Sequence, residues 1–139
     1  MKIAIINGPN LNLLGSRETS IYGGESFEEY FKKLRAKFPK IDFDYYQSNV
    51  EGELVNQIQK CGSIMDGIIL NAGAYTHTSI AIADAVSAIK VPVIEVHISN
   101  IAAREEFRKH SYLSSVCKGT IFGLGLKGYE LAVVALSTN

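Results

Sequence analysis

Short β-branched apolar runs alternate with helical patterns along this chain, and this alternation constrains its fold more than any other feature. Residues 2–7 form a nearly continuous apolar run, as expected of a strand that is buried on both faces. A second such run spans residues 66–71, and both runs end in asparagine. Strands that alternate with helices favour right-handed βαβ units and a parallel sheet covered on both sides.

The remaining elements follow from periodicity and from residues that start or stop helices. Ser26 with a glutamate three residues later is a capping-box signature, Pro39 closes the helix that follows, and Gly62 is the expected stop of the next helix. The predicted strands are 2–7, 41–48, 66–71, 91–97 and 120–124; the predicted helices are 27–38, 51–61, 76–90 and 126–136, with a partly helical segment at 101–110.

These elements predict a single α/β domain over residues 1–139, a flavodoxin-like three-layer sandwich with a five-stranded parallel sheet. A chain of 139 residues is too short for an eight-stranded barrel, which needs ~250 residues. No second domain, internal repeat or low-complexity linker is evident.

Composition restricts the compartment and the partners. Fourteen basic residues balance fourteen acidic ones, so the charge gives no reason to expect nucleic acid or an anionic membrane as a partner. Cys61 and Cys117 lack metal-ligand spacing, so we expect buried reduced thiols and no zinc or iron–sulfur site. The first residues do not resemble a signal peptide, and no apolar run is long enough to span a bilayer. We therefore expect a cytoplasmic protein.

The segment from Gly8 to Gly23 is longer than an ordinary connection, which suggests a functional loop or lid. It carries Asn10, Arg17 and Tyr22, which are suited to polar recognition and proton transfer. A guanidinium near a phenol favours the phenolate and lowers the pKa of the phenol, so Tyr22 could act as a base. The alternative is an exposed arginine and a packing tyrosine in a surface loop.

Polar residues end several of the predicted strands. Ligands of open α/β sheets bind outside the carboxyl ends of the strands, so we expect a site near Asn7, Asn71, Glu95 and His97. Glu95 and His97 are two residues apart on a strand and project to the same face. A carboxylate can hold the imidazole tautomer and raise its pKa, which suits a general acid, although a structural histidine is an equal alternative.

Further candidates lie in the connections after the third and fourth strands. Thr76 or Thr78 could cap the next helix, whose first turn could also bind an anion, and His77 is either a ligand contact or an exposed histidine. Ser99 could bind a carboxylate or only form a turn. Arg104 and Arg108 would share a helical face and could bind a carboxylate, or could belong to a solvated charged helix.

Several signatures are missing from the sequence. No GxGxxG motif follows the first strand, no Walker loop is present, and no serine or cysteine has a credible adjacent base. A non-catalytic flavodoxin-like module that binds a nucleotide or flavin remains the alternative function, although its phosphate-binding loop is absent. A structural assembly protein is a second alternative.

Taken together, the segments resemble the type II 3-dehydroquinate dehydratases, the small dehydroquinases of the shikimate pathway. The matching segments are GPNLNLLG at 8–15 with Arg17 and Tyr22-Gly23, NAGAYTHTSIAIADA at 71–85, EVHISN at 95–100, AREEFRKHSYLS at 103–114 and the GLGLKGYELA run near the end. They occur in the order and at the spacing of the family, over essentially the whole chain.

The resemblance implies loss of water from 3-dehydroquinate by anti elimination, without a metal, an imine or any cofactor. Tyr22 would be the base, with Arg17 lowering its pKa, and His97 the acid, oriented by Glu95. Asn10 would help to hold a water that stabilises the enolate. The implied substrate-binding residues are Asn71, His77, Asp84, Ile98, Ser99 and Arg108. By the same resemblance, Asp84 would reach into the site of a neighbouring subunit in a dodecamer, a tetramer of trimers.

Overall fold

We describe a computed structural model of the protein over residues 1–16, 19–22 and 24–138, without the side chains of Thr19 and Tyr22. The strands are β1 (Lys2–Asn7), β2 (Asp42–Gln47), β3 (Gly67–Asn71), β4 (Val93–His97) and β5 (Gly119–Phe122). The helices are α1 (Thr19–Tyr22), α2 (Phe27–Lys37), α3 (Glu51–Ile64), α4 (Ile80–Ala88) and α5 (Lys127–Ser137). Short 3-10 helices span Leu11–Leu13, Gly73–His77, Ile101–Ala103 and Glu106–Arg108.

The strands form one parallel sheet with the order β2-β1-β3-β4-β5. This is the flavodoxin-like order, in which the chain reverses its direction of winding between β1 and β3. The predicted fold class is therefore confirmed. The register pairs Asn7 with Asn71, so the two asparagines end neighbouring strands at the same level of the sheet.

Helices cover both faces of the sheet, because alternate residues of the central strands point to opposite sides. Ile3, Ile5 and Ile69 pack with Phe27 of α2 and Tyr129 of α5 on one face. The other face buries the alternate residues of the same strands against α3 and α4, in a cluster that includes Ala4, Ile6, Ile68, Leu70, Leu54, Ile58, Cys61, Ile82 and Val86. The five strands thus lie between two helical layers.

The ends of β1 and β3 approach each other closely at the winding reversal. The amide of Gly8 donates to the carbonyl of Asn71 at 2.7 Å. A Cβ atom on Gly8 would lie 2.5 Å from the carbonyl oxygen of Ala72, so only glycine allows this contact. The close contact fixes the start of the long loop beside the end of β3.

Helix α2 begins as the capping-box pattern predicts. The Ser26 hydroxyl accepts a hydrogen bond from the amide of Glu29 at 3.2 Å, which satisfies one of the free donors of the first turn. Helix α3, in contrast, does not stop at Gly62 but continues to Ile64. A Cβ on Gly62 would lie 2.3 Å from Cγ2 of Ile89, so this glycine permits close packing next to α4 and is not a stop signal.

The predicted helix at 76–90 is shorter in the structure. A 3-10 turn occupies Gly73–His77, and α4 begins at Ile80 with Ser79 as its N-cap, whose hydroxyl accepts from the amide of Ile82 at 2.9 Å. The prediction that Thr76 or Thr78 caps the helix is therefore wrong. Thr76 is instead fully buried, and its hydroxyl has no hydrogen-bond partner within the described residues.

The segment at 101–110 contains two separate 3-10 turns, and the backbone of Arg104 between them is extended. The spacing of Arg104 and Arg108 had predicted a shared helical face. That prediction is wrong, because the two arginines do not lie on one continuous helix. Both cysteines are free; Cys61 is buried and Cys117 is half-buried. Within the described residues, no helix has the length and apolarity to cross a membrane.

Candidate active site

A cavity opens at the carboxyl ends of β1, β3 and β4, where open α/β sheets bind ligands. It encloses about 630 Å³, part of which is open to solvent. Its lining residues come from the long loop after β1, from the ends of β3 and β4, and from the turns that follow: Pro9, Asn10, Leu11, Leu14, Asn71, Gly73, Ala74, His77, His97, Ile98, Ser99, Ile101, Arg104 and Arg108. Seven of the predicted site residues are in this set.

The loop after β1 is held over the cavity by two leucines. Leu11 and Leu14 are 6% exposed and belong to the core on the α2/α5 face. Asn10 is the single non-glycine residue with a positive φ, 69°, among the described residues. Its backbone N–H donates to Oδ1 of Asn49 at 3.0 Å. Asparagine tolerates this left-handed conformation better than most residues. The strained turn directs the loop across the edge of the sheet.

The Glu95–His97 pair is assembled as its spacing predicts. Both residues lie on β4; Glu95 is fully buried and His97 is 5% exposed. Nε2 of His97 lies 2.5 Å from Oε2 of Glu95. Because a carboxylate can only accept, Nε2 carries the proton of this hydrogen bond, and Nδ1 is the ring nitrogen that can exchange a proton with a ligand in the cavity.

Three hydroxyl groups that the sequence did not identify as site residues also contact Glu95. Ser114 donates to Oε1 at 2.6 Å and Thr120 to the same oxygen at 3.2 Å, while Ser111 donates to Oε2 at 2.9 Å. Burial alone raises the pKa of Glu95, but the hydrogen bonds from His97, Ser114 and Ser111 outweigh it and hold the pKa below its usual range. Glu95 is therefore an ionised partner for His97.

His77 lies in the 3-10 turn before α4, not in the first turn of α4 itself. Its ring is stacked near that of His97, with 6.2 Å between the centroids. Nδ1 is 2.7 Å from the carbonyl oxygen of His110, which fixes the proton on Nδ1 and leaves Nε2 as an acceptor. Burial, and secondarily the charges of His97 and Arg108, lowers the pKa of His77, so the neutral ring is favoured.

Asn71 is oriented by a tyrosine from the far end of the chain. Its Nδ2 donates to the hydroxyl of Tyr129 at 2.9 Å, and that hydroxyl donates to Oδ1 of Asn7 at 2.8 Å. Oδ1 of Asn71 accepts from the amide of Gly73 at 3.1 Å. Both amide atoms of Asn71 are thereby assigned and the side chain is fixed at the cavity wall. Tyr129 was not among the predicted site residues.

Two arginines, Arg104 and Arg108, bring positive charge to the cavity lining. Nη1 of Arg104 donates to the hydroxyl of Ser99 at 3.4 Å, and Nε of Arg108 donates to the carboxylate of Glu105. Ile98, 3% exposed, follows β4 directly and also lines the cavity. Guanidinium groups bind planar carboxylates well, so this lining suits an anionic group of a ligand.

Three of the predicted site residues, Arg17, Tyr22 and Asp84, are not part of the site geometry that the structure describes. Arg17 and the side chain of Tyr22 lie outside the described residues, and the backbone of Tyr22 belongs to α1. Asp84 is exposed on α4 and is not among the residues that line this cavity. Within the described part of the chain, no group of three or more histidine, cysteine, aspartate or glutamate side chains is arranged to hold a metal ion.

Comparison with known proteins identifies the family. The sequence model described as "Dehydroquinase class II" matches residues 1–137. A 3-dehydroquinate dehydratase of Campylobacter jejuni subsp. jejuni is 53% identical over 138 residues, which cover 98% of this chain and 87% of the relative. Another, from Fusobacterium nucleatum subsp. nucleatum, is 57% identical over 141 residues, with 98% and 96% covered.

The solved structures agree with the sequences. The crystal structure of type II dehydroquinase from Butyrivibrio crossotus DSM 2876 matches with a TM-score of 0.96 and 47% identity, and covers 99% of this chain and 98% of that one. The chain therefore belongs to the class II dehydroquinase family. It is an enzyme of the 3-dehydroquinate dehydratase class, a lyase. The non-catalytic binding module is thereby set aside.

Proposed function

We propose that this enzyme removes water from 3-dehydroquinate to give 3-dehydroshikimate, in the shikimate pathway of aromatic amino acid biosynthesis. The observation that carries the proposal is the buried Glu95–His97 pair, which opens onto the same cavity as two arginines. An acid beside a cationic wall fits a substrate that has both a hydroxyl leaving group and a carboxylate.

The proposed reaction is an anti elimination through an enolate. A base takes the proton next to the ketone, and the electron pair of that C–H bond moves towards the carbonyl oxygen to form the enolate. The enolate then re-forms the ketone and expels the hydroxyl group, which leaves as water after it receives a proton. The C–O bond breaks as the new carbon–carbon double bond forms, so one water is lost and no electrons enter or leave.

His97 is the proposed acid. Its Nε2–H donates to Glu95, so the imidazolium form carries its second proton on Nδ1, from which it can pass to the departing hydroxyl. The ionised Glu95 stabilises that imidazolium by its charge and holds the ring in one orientation. Glu95 orients the acid and does not itself exchange protons with the substrate.

Tyr22 is the proposed base and Arg17 its activator, by the resemblance of the loop to that of the family. A cation near a phenol lowers the pKa of the phenol towards the range in which a base is useful. The described part of the loop supports this assignment, because Leu11 and Leu14 anchor it to the core and Asn10 lines the cavity. Asn10 would hold a water that hydrogen-bonds to the enolate oxygen.

The other cavity residues are proposed to bind the substrate. Nε2 of His77 is an acceptor and suits a substrate hydroxyl, and the fixed amide of Asn71 suits another. Ser99, the backbone at Ile98 and the guanidinium of Arg108 would bind the carboxylate, since all three residues line the cavity to which the arginines bring positive charge.

We further propose that the enzyme assembles as a dodecamer, a tetramer of trimers, in which Asp84 enters the site of a neighbouring subunit. Two features of α4 support this assignment. Asp84 is exposed and outside the cavity of its own chain, and Ile80, one turn earlier, is an apolar side chain with 60% exposure. Light scattering of the purified protein would measure the assembly, and a monomer at micromolar concentration would contradict it.

The direct test is the absorbance of the conjugated enone product after 3-dehydroquinate is mixed with the purified enzyme. We expect rapid absorbance growth with the wild type, and loss of nearly all turnover in Tyr22→Phe and His97→Asn variants that keep the wild-type assembly. Tyr46→Phe is the matched control, since Tyr46 packs on the α3/α4 face away from the cavity. A flat trace from correctly assembled wild type would overturn the proposed reaction, and full activity in Tyr22→Phe would overturn the proposed base.

A further inference from the structure

The Glu95 carboxylate is surrounded by donors that do not line the cavity. Ser111, Ser114 and Thr120 come from the segment before β5 and from β5 itself, and their hydroxyls lie 2.9, 2.6 and 3.2 Å from the carboxylate oxygens. None of the three is among the cavity-lining residues. They therefore reach the reacting groups only through Glu95.

The hydrogen bonds of Ser111 determine in which direction its proton points. Its oxygen accepts from the amides of Leu113 and Ser114, at 3.0 and 3.1 Å. A hydroxyl oxygen has two acceptor sites and one proton, so the proton of Ser111 remains for Oε2 of Glu95. That oxygen also accepts from His97 and therefore does not carry a proton itself.

Oε1 of Glu95, the other carboxylate oxygen, also accepts hydrogen bonds from hydroxyl groups. Ser114 donates to this oxygen at 2.6 Å, and the single proton of Thr120 is shared between this oxygen, at 3.2 Å, and the hydroxyl oxygen of Ser114, at 3.3 Å. An ionised carboxylate has about four acceptor positions, and Glu95 has four donors among the residues that the structure describes. A buried carboxylate with fewer such donors binds a proton at a higher pH and accepts less well from His97.

We propose that Ser111, Ser114 and Thr120 are positioning residues for the dehydration, because they hold Glu95 as an ionised acceptor and thereby fix which nitrogen of His97 faces the substrate. This inference rests on the proposed role of His97 as the acid. The three hydroxyls act through Glu95 on the acid and make no contact with the substrate.

The other titratable and charged groups near Glu95 do not replace the hydroxyls. Burial, assisted by the charge of Glu95, raises the pKa of the Cys117 thiol to about 12, so this thiol remains neutral. His77 favours its neutral form, and Arg108 is paired with Glu105. His97 is the one ionisable group among the described residues that hydrogen-bonds directly to Glu95.

The test is the double variant Ser114→Ala/Thr120→Val, which removes both donors to Oε1. Ser111 is left in place because its oxygen also accepts the two amides of its turn. With fewer donors, the ionised form of Glu95 is stabilised less, so its carboxyl binds a proton at a higher pH. We expect kcat to fall about 10- to 100-fold and KM to stay within about two-fold. The acid limb of the kcat profile should have two breaks, an upper one set by the base Tyr22 and a lower one set by Glu95, and only the lower break should move up, by roughly one pH unit.

Two further variants separate positioning from general structural support. The single variant Ser114→Thr keeps a hydroxyl at position 114 and leaves Thr120 unchanged. Its kcat profile should therefore have the same acid limb as the wild type. Ser115→Ala removes a neighbouring exposed serine that does not hydrogen-bond to Glu95, and should leave the profile unchanged. A role limited to stability would lower the midpoint of urea unfolding without moving the acid limb, and that result would overturn the proposal.

The outcomes also distinguish this inference from the proposed function. A wild type that turns over 3-dehydroquinate, together with a folded double variant of unchanged kcat and pH profile, would overturn the positioning role alone. A wild type without turnover would overturn the proposed function and the link to dehydration. Urea unfolding from about pH 6 down to about pH 3 would still measure how well the folded protein keeps Glu95 ionised. A depressed pKa of Glu95 in the folded state gives stability that is complete above the unfolded pKa and is lost as the pH falls from there through the folded pKa. An identical pH dependence of unfolding in the double variant would show that the hydroxyls do not hold Glu95 ionised.

Discussion

Removal of one oxygen atom from Tyr129 should reduce both the stability of the fold and the binding of substrate. Tyr129 is fully buried, and its hydroxyl joins Oδ1 of Asn7 to Nδ2 of Asn71 across the ends of β1 and β3. Tyr129→Phe keeps the ring, which packs at 5.0 Å from that of Phe27, and removes only the two hydrogen bonds. The variant therefore isolates the polar contribution of this side chain.

The expected loss of stability follows from the side chains of Asn7 and Asn71, which both lose their hydrogen bond to the hydroxyl of Tyr129. Asn7 is 0% and Asn71 3% exposed, so water cannot readily replace the hydroxyl. A buried polar group left unsatisfied costs about 1–3 kcal/mol, and two such groups, partly relaxed, give about 2–4 kcal/mol. This is a large share of the ~5–15 kcal/mol by which a native domain is stable. Because Asn71 lines the cavity and loses its fixed orientation, we also expect KM to rise about five- to thirty-fold.

Urea unfolding at a fixed protein concentration, followed by circular dichroism, would measure the stability, and initial rates with 3-dehydroquinate would give KM. Tyr46→Phe is the control: it removes the same atom from a tyrosine whose hydroxyl makes no hydrogen bond within the described residues, so its free energy of unfolding should change by less than ~0.5 kcal/mol. A Tyr129→Phe enzyme as stable as the control, with wild-type KM, would refute the reasoning about the Asn7–Tyr129–Asn71 connection.

Two further predictions concern the positions where the sequence interpretation was wrong. Ser79→Ala should lower the free energy of unfolding by about 1 kcal/mol, because it removes the cap of α4. Thr76→Val should be neutral or stabilising, because it replaces a buried hydroxyl that has no partner within the described residues. Urea unfolding compares the two variants, and an equal loss of stability in both would contradict the assignment of the cap. Gly62→Ala should destabilise the fold by about 1–3 kcal/mol, because the added Cβ has no room. Gly52→Ala in the same helix, where no atom lies within 4 Å of the added Cβ, should stabilise the fold by about 0.4–1 kcal/mol. Thermal denaturation would measure both, and a stabilised Gly62→Ala variant would contradict the close packing at that glycine.

Local sequence determined most of the fold and part of the site. The apolar run at Lys2–Asn7 and the capping serine at 26 specify their elements through contacts within a few residues, and the structure has both where they were predicted. The two-residue spacing of Glu95 and His97 places both on one face because a strand repeats every two residues. The family motifs supplied the identity of the reaction, which no local pattern could have given.

Tertiary packing decided the rest, because the deciding contacts join residues that are far apart in the chain. Gly62 resembles a helix stop until Ile89 is seen against it, and Thr76 resembles a cap until packing buries it and leaves Ser79 at the start of α4. Tyr129 reaches Asn7 across 122 positions of sequence.

The donors to Glu95 follow the same rule. They come from residues 16, 19 and 25 positions further along the chain, and a serine or threonine has no periodic signal that predicts its partner. The sequence thus determined which elements form and which residues could perform the chemistry. Only the folded sheet decided which hydroxyl, amide and imidazole groups meet, because each of those contacts depends on the three-dimensional positions of separate elements.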